Sequence, residues 1–305
     1  MTIPWRVPDA VRAGDVVRVI APCGAFDRER FETGLRLIER AGLVVRYDDA
    51  VFGRHRYLAG DDERRLGELR HALGETDTRV LWVARGGYGA TRLLPHLPVD
   101  AVRRAGKWLV GFSDVTALHM LWARAGLASL HGANVTTLSQ WSEGARDELM
   151  SWLTQPAPRL FKGRVKHRGE LVSGRLLGGN LTVLAAMAGT GSMPSLRGAI
   201  VLLEDVGERP YRLDRVLTQL VQSGAFDGVA GVVIGQLTDC TEPNADYTAL
   251  DVLTEVLAPL GVPVLAELPI GHEPSSRAVL SGAVATLDTH EGVLTLRGSA
   301  ASVSV

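Results

Sequence analysis

Cysteine, long apolar runs and an excess of charge are what this 305-residue chain has little of. Its two cysteines, Cys23 and Cys240, lie far apart and form neither a metal-binding nor a redox spacing. A reducing cytoplasm is the simplest setting, with a single Cys23–Cys240 disulfide as the lesser alternative. No stretch approaches the roughly 20 apolar residues needed to span a membrane. The opening Met1-Thr-Ile-Pro-Trp-Arg-Val-Pro8 is too short and too broken for a signal peptide. A net charge of −1 offers no broad basic field for nucleic acid or anionic lipid. With no H-E-x-x-H and no clustered Cys and His, neither a metal nor a cofactor is expected. What the chain does have is 46% hydrophobic residues, ample for a core, and 34 glycines.

The first half alternates strand and helix patterns. Asp15 to Ala21 reads as a strand, Arg28 to Ala41 as an amphipathic helix closed by Gly42, and Val44 to Tyr47 as a second strand. A charged helix from Asp61 to Leu73, a strand from Val80 to Ala84, a buried strand ending at Phe112 and another near Ser129–His131 continue the series. Such βα units imply an open, Rossmann-like parallel sheet over residues 1–145. Between Trp141 and Ser173 the pattern weakens, with Pro156, Pro158 and a solvated basic patch from Lys162 to Arg168. Residues 146–172 therefore read as a linker, and 173–305 as a smaller mixed α/β domain. In that domain Leu177-Gly-Gly-Asn180 reads as opening a helix to Met187. Ala199 to Leu203 is a strand ending at Glu204-Asp205, and two last strands from Ala278 to Leu296 form a hairpin.

In open α/β sheets, ligands bind at the carboxyl ends of the strands. Ser113 falls at that rim, where Lys107–Phe112 runs into the helical pattern beginning Ser113-Asp-Val-Thr. A serine there is either a helix N-cap or a nucleophile raised to the edge of the sheet. A nucleophilic serine needs a histidine base and usually a carboxylate to orient it. Of eight histidines, His131 and His272 follow strand patterns near the rim; His119 lies too far around its helix to face the hydroxyl. His131 is left between lining the pocket and being a buried histidine with a backbone partner. For the carboxylate, Glu204 or Asp205 would be half-buried and need a partner, or would cap the helix that starts after Pro210. The loop Arg85-Gly-Gly-Tyr-Gly89 fails the dinucleotide fingerprint but suits an oxyanion hole, its backbone N–H groups acting with that of Asp114.

The ordered set Ala84-Arg-Gly-Gly-Tyr-Gly89, Gly111-Phe-Ser-Asp114, Leu203-Glu-Asp-Val-Gly-Glu208 with Tyr211 to Arg215, and Pro269-Ile-Gly-His272 resembles the serine LD-carboxypeptidase family. The resemblance implies Ser113 as nucleophile, His272 as general base, Glu204 as its orienter, and an oxyanion hole from the Gly87 and Asp114 N–H groups. It also implies a homodimer, and cleavage of the bond to the terminal D-alanine of cytoplasmic murein tetrapeptides, free or sugar-linked. A carboxypeptidase needs a cation for the terminal carboxylate, and Arg85, Arg212 and Arg277 are candidates. Two rivals stand beside this reading. One is an immunity-type peptidase of the same family acting on a toxic peptidyl-nucleotide; such relatives carry a longer substrate loop, for which 305 residues leave little room. The other is a non-catalytic protein that binds an anion or peptide at Arg85–Gly89.

Overall fold

The computed structural model describes residues 4–298; positions 1–3 and 299–305, the outer ends of the two expected domains, lie outside the described residues. The chain begins with β1 (Val16–Ile20), α1 (Arg28–Arg40), β2 (Val44–Arg46), α2 (Asp62–Gly74) and β3 (Thr78–Val83). It continues through α3 (Ala90–Leu93), α4 (Val99–Ala105), β4 (Trp108–Gly111), α5 (Thr116–Arg124) and β5 (Ser129–His131). These strands lie parallel in the order β2-β1-β3-β4-β5. Strand β4 is buried at every position, as a parallel strand covered on both faces must be. The order reverses between β1 and β3, which opens a crevice at the carboxyl edge.

The second half runs α6 (Glu143–Thr154), β6 (Arg159–Lys162), β7 (Arg164–His167), β8 (Val172–Asn180), α7 (Leu181–Met187) and β9 (Ile200–Val206). Then follow α8 (Pro210–Gln222), β10 (Gly231–Thr238), α9 (Ala249–Leu257), β11 (Val264–Ala266), β12 (Val279–Ser281), β13 (Val284–Asp288) and β14 (Val293–Leu296). Eight of its strands form one sheet in the order β6-β14-β13-β8-β9-β10-β11-β7, parallel from β8 to β11 and antiparallel on the flanks. Strands β6 and β7 are separated by Gly163 alone yet pair with opposite edges of this sheet. The sheet therefore closes on itself, and β14 and β11 are not left with unpaired edges.

Several expectations need correcting. Residues 146–172 are no linker: they hold most of α6 together with β6 and β7, where His167 pairs with Val264 of β11. Charged strands covering sheet edges lack the apolar alternation that would have revealed them. The helix expected to open at Leu177–Asn180 and run to Met187 is present but starts at Leu181: Leu177–Asn180 ends β8, and Asn180 is the N-cap of α7, its side chain accepting the Val183 N–H at 3.1 Å. The expected hairpin from Ala278 divides. Strands β13 and β14 form it, whereas β12 leaves to pair antiparallel with β5 in the first sheet.

That excursion ties the two halves together. Helix α5 is buried at every position from Thr116 to Ala123, so it has no solvent face and both halves pack on it. Leu118 and Leu121 of α5 share one apolar core with Leu181 and Leu184 of α7 and Leu213 and Leu217 of α8. Gly179, at φ +144°, brings β8 against this helix; a Cβ there would lie 2.5 Å from the Thr116 hydroxyl. The same hydroxyl accepts the Asn180 N–H at 3.0 Å.

Candidate active site

Ser113 opens a single 3₁₀ turn, Ser113–Val115, between β4 and α5, and holds φ at +67°. An L-residue other than glycine in this left-handed region costs roughly 1–2 kcal/mol, and such strain persists only where the surroundings impose it. Gly86 does part of the imposing: a Cβ there would sit 2.9 Å from the Ser113 Cβ and 3.1 Å from its Oγ. The N-cap reading of Ser113 fails. Phe112 occupies the cap position of the 3₁₀ turn and Val115 that of α5, and neither start receives a side-chain cap bond.

Glu204 stands inside β9 rather than past its end, and its side chain is wholly buried. Its Oε2 lies 2.8 Å from Nδ1 of His272. A carboxylate on Nδ1 sets the proton there, so that this N–H donates and Nε2 keeps a free lone pair. Burial pushes the Glu204 pKa up, and the hydrogen bond from His272 opposes the shift. His272 rides on the crossover from β11 in the second sheet to β12 in the first, which is how one loop reaches both. Gln236 fastens this loop, accepting the Glu273 N–H at 3.1 Å and the Ser276 hydroxyl at 2.6 Å while its own N–H bonds Ile270 O at 2.8 Å. The His272 ring rests 4.6 Å from that of Phe112, the residue before Ser113. No hydrogen bond joins Ser113 Oγ to His272 among the described residues; such catalytic contacts commonly tighten only when substrate is bound.

The remaining candidates separate by what holds them. Asp205 caps a different helix from the one expected: its Oδ2 accepts the Thr182 N–H and hydroxyl at 2.9 and 2.8 Å, in the first turn of α7. Its Oδ1 accepts the Asn180 amide at 3.0 Å, so its oxygens are occupied. Arg277 is locked onto Glu148 by two bonds of 2.8 and 2.6 Å, and Arg212 pairs with Glu208 at 3.4 Å. Arg85 donates one hydrogen bond to the Ala25 carbonyl and is otherwise exposed at the glycine loop. Gly87 is exposed at φ +97°, and the Asp114 N–H lies in a first helical turn, where backbone donors have no intrahelical acceptor.

His119 is a satisfied core histidine, its ring nitrogens 2.8 Å from Ser129 Oγ and 2.8 Å from Gly111 O, and burial drives its pKa down to about 4. His131 is buried beside the Phe112 ring with neither ring nitrogen partnered, so the expected backbone partner is absent. Burial drives its pKa well down, with the charges of His119 and His272 acting the same way. Cys23 and Cys240 are both buried and free, which removes the disulfide alternative. A cavity of about 600 Å³ lies at the amino ends of β3 and β4, the opposite rim from Ser113. Sequence reasoning missed Gly86, Phe112 and Asn180. Gly86 was adjacent to the chosen Gly87, while Phe112 and Asn180 carried only apolar and turn signals.

A doubly wound sheet that presents a strained serine at its carboxyl edge, beside a histidine oriented by a buried carboxylate, has the layout of an acyl-transfer hydrolase. Comparison with known proteins narrows that class. Residues 17–132 match the LD-carboxypeptidase N-terminal domain and residues 173–287 the LD-carboxypeptidase C-terminal domain. The chain belongs to the LD-carboxypeptidase family, and is a carboxypeptidase by that membership. It is 37% identical over 284 residues to the murein tetrapeptide carboxypeptidase of Pseudomonas aeruginosa, covering 89% of this chain and 92% of that one. A crystal structure of muramoyltetrapeptide carboxypeptidase from Oxalobacter formigenes superposes with a TM-score of 0.83 at 30% identity, over 92% of this chain and 97% of that one. The microcin C7 self immunity protein MccF, solved with aspartyl sulfamoyl adenosine, shares the fold with a TM-score of 0.85 at 22% identity, over 96% and 98% of the two chains. Among the described residues no helix is long and apolar enough to cross a membrane, and no cluster of His, Cys, Asp and Glu could hold a metal ion.

Proposed function

We propose that this protein is a serine LD-carboxypeptidase that removes the terminal D-alanine from murein tetrapeptides during peptidoglycan recycling. The observation that carries the reading is the 2.8 Å bond between His272 and the buried Glu204, set beside a serine in the left-handed region. In this mechanism Ser113 Oγ attacks the carbonyl of the L-configured centre while His272 Nε2 takes its proton. The tetrahedral oxyanion is held by the N–H groups of Gly87 and Asp114. Breaking of the C–N bond transfers that proton to the leaving D-alanine amine, and water then releases the tripeptide from Ser113 with His272 again as base. Glu204 orients the imidazole and stabilises its charged form. Arg85 is the candidate for the terminal carboxylate, because Arg212 and Arg277 are already paired with acids. A cytoplasmic setting accords with this substrate, and two free buried cysteines suit a reducing compartment. A homodimer remains part of the proposal.

The test is release of D-alanine from murein tetrapeptide, alongside an L-alanine-terminated analogue and aspartyl sulfamoyl adenosine. Turnover of the tetrapeptide alone, lost in Ser113→Ala by a factor of about 10⁴ or more, is expected. Full turnover by Ser113→Ala would refute the nucleophile; hydrolysis of the sulfamoyl adenosine alone would favour the peptidyl-nucleotide reading.

A further inference from the structure

Beneath Ser113 lies a set of buried polar groups that the mechanism does not use. Asp114 is 1% exposed, and its Oδ2 accepts the Ala90 N–H, at the start of α3, at 2.9 Å. One side chain on the β4 loop thus holds the loop that follows β3. Arg65 on α2 joins the loop after β3 to the loop after β1 through their backbones. It is wholly buried, and its Nη1 donates to the carbonyls of Gly89, at 2.9 Å, and of Pro22. The loops are also joined directly, Gly24 N–H to Gly86 O at 3.0 Å. Gly89, at φ +131°, makes room for the guanidinium, since a Cβ there would meet Nη1 at 2.6 Å. Burial pushes the Asp114 pKa up, and the positive charge of Arg65 is one of the influences that oppose it.

We infer that Asp114 and Arg65 are positioning residues that clamp the loops after β1, β3 and β4 together and so hold Ser113 in its left-handed conformation. The inference rests on the proposed role of Ser113. Three loops tied to buried charged groups cannot shift independently, and Gly86 is kept against the Ser113 Cβ only while the loop after β3 stays in place. Relaxation of Ser113 into an ordinary right-handed turn would swing Oγ away from the rim. A misplacement of about 1 Å at a reacting atom costs on the order of 10²-fold in rate.

The experiment measures kcat, KM, unfolding midpoint and the rate of Ser113 labelling by a fluorophosphonate probe. Asp114→Asn keeps the backbone N–H and one acceptor oxygen but removes the charge that strengthens the tie to Ala90. It is expected to lower kcat by about 10- to 100-fold with KM changed less than about threefold, and labelling should fall in parallel. Arg65→Lys keeps the charge, but its nitrogen stops short of the Nη1 position and lacks the fork that binds Asp62 as well, and should lower kcat by about 5- to 20-fold with the same split. Should Asp114→Asn fail to fold, Arg65→Lys decides the matter by the same readouts. A lowered unfolding midpoint with wild-type kcat and labelling, or a change confined to KM, overturns the clamp. An inactive Ser113→Ala beside wild-type kcat in Asp114→Asn and Arg65→Lys overturns the clamp alone; an active Ser113→Ala overturns the nucleophile beneath it.

Discussion

Ser113 is placed by a local device, one left-handed residue between β4 and α5, whereas Glu204 and His272 are placed by distant ones. Glu204 occupies the middle of a buried strand, and His272 sits on a loop that leaves the second sheet and returns to the first. The difference has an energetic side. On the serine side, backbone strain of roughly 1–2 kcal/mol is contained by close glycine packing. On the histidine side, burying a carboxylate is made tolerable by its hydrogen bond to the imidazole. The first arrangement should be sensitive to shape, and the second to charge and to proton position.

The largest effect that would break this contrast belongs to the charge side. Glu204→Gln keeps the volume but presents an amide to Nδ1, and by analogy with carboxylate removal in other triads kcat should fall about 10³- to 10⁴-fold. Wild-type kcat for D-alanine release in this variant would sink the role of Glu204, and Asp205 could not replace it, being held by Asn180 and Thr182. Next comes shape. Gly86→Ala adds only a methyl group, yet that methyl would meet Ser113 at 2.9 Å and the Phe112 carbonyl at 3.2 Å. A kcat loss on the order of 10²-fold is expected, with secondary structure unchanged by circular dichroism. If kcat holds while KM alone rises, Gly86 contacts substrate and is no support for the serine.

The smallest effect concerns acid. His119 and His131 both lie on the first sheet's side, buried and neutral, each with its pKa driven down. For His119 the folded value of about 4 lies below the ordinary 6.5, so its contribution to stability is fully present above pH 6.5. That contribution is lost as pH falls toward 4, since the unfolded chain takes up the proton first. The loss from His119 amounts to at most about 3 kcal/mol. Urea unfolding at pH 7.5 and 4.5 should show His119→Gln losing less stability than the native chain across that interval. Equal losses would mean that His119 is not the acid-sensitive group.

Legibility in the sequence followed the range of the interactions. The βα units before residue 131 could be read because apolar strand runs alternate with helical patterns, the first two helices starting at the capping residues Asp27 and Asp61. Residues 146–172 could not, because β6 and β7 are short, charged strands defined by the edges they cover. Leu177–Gly179 were misread for a related reason. Gly178 and Gly179 look like a turn, but at φ +121° and +144° they let a strand pass close to β9 and α5. Ser113, Glu204 and His272 could be picked out only as an ordered set of motifs, since each alone had an ordinary structural reading.

By itself, then, the sequence determined the parallel sheet, the rim that carries Ser113 and the absence of metal-binding spacings, all properties of residue type and short-range period. Only the tertiary structure decided which carboxylate serves His272, which arginine stays free, and that Asp114 and Arg65 meet the loops around the serine. Those outcomes depend on where β9 is buried, on Glu148 reaching Arg277, and on a crossover that brings a loop of the second half back to the first sheet. Contacts between residues far apart in the chain are set by packing, and no local pattern encodes them.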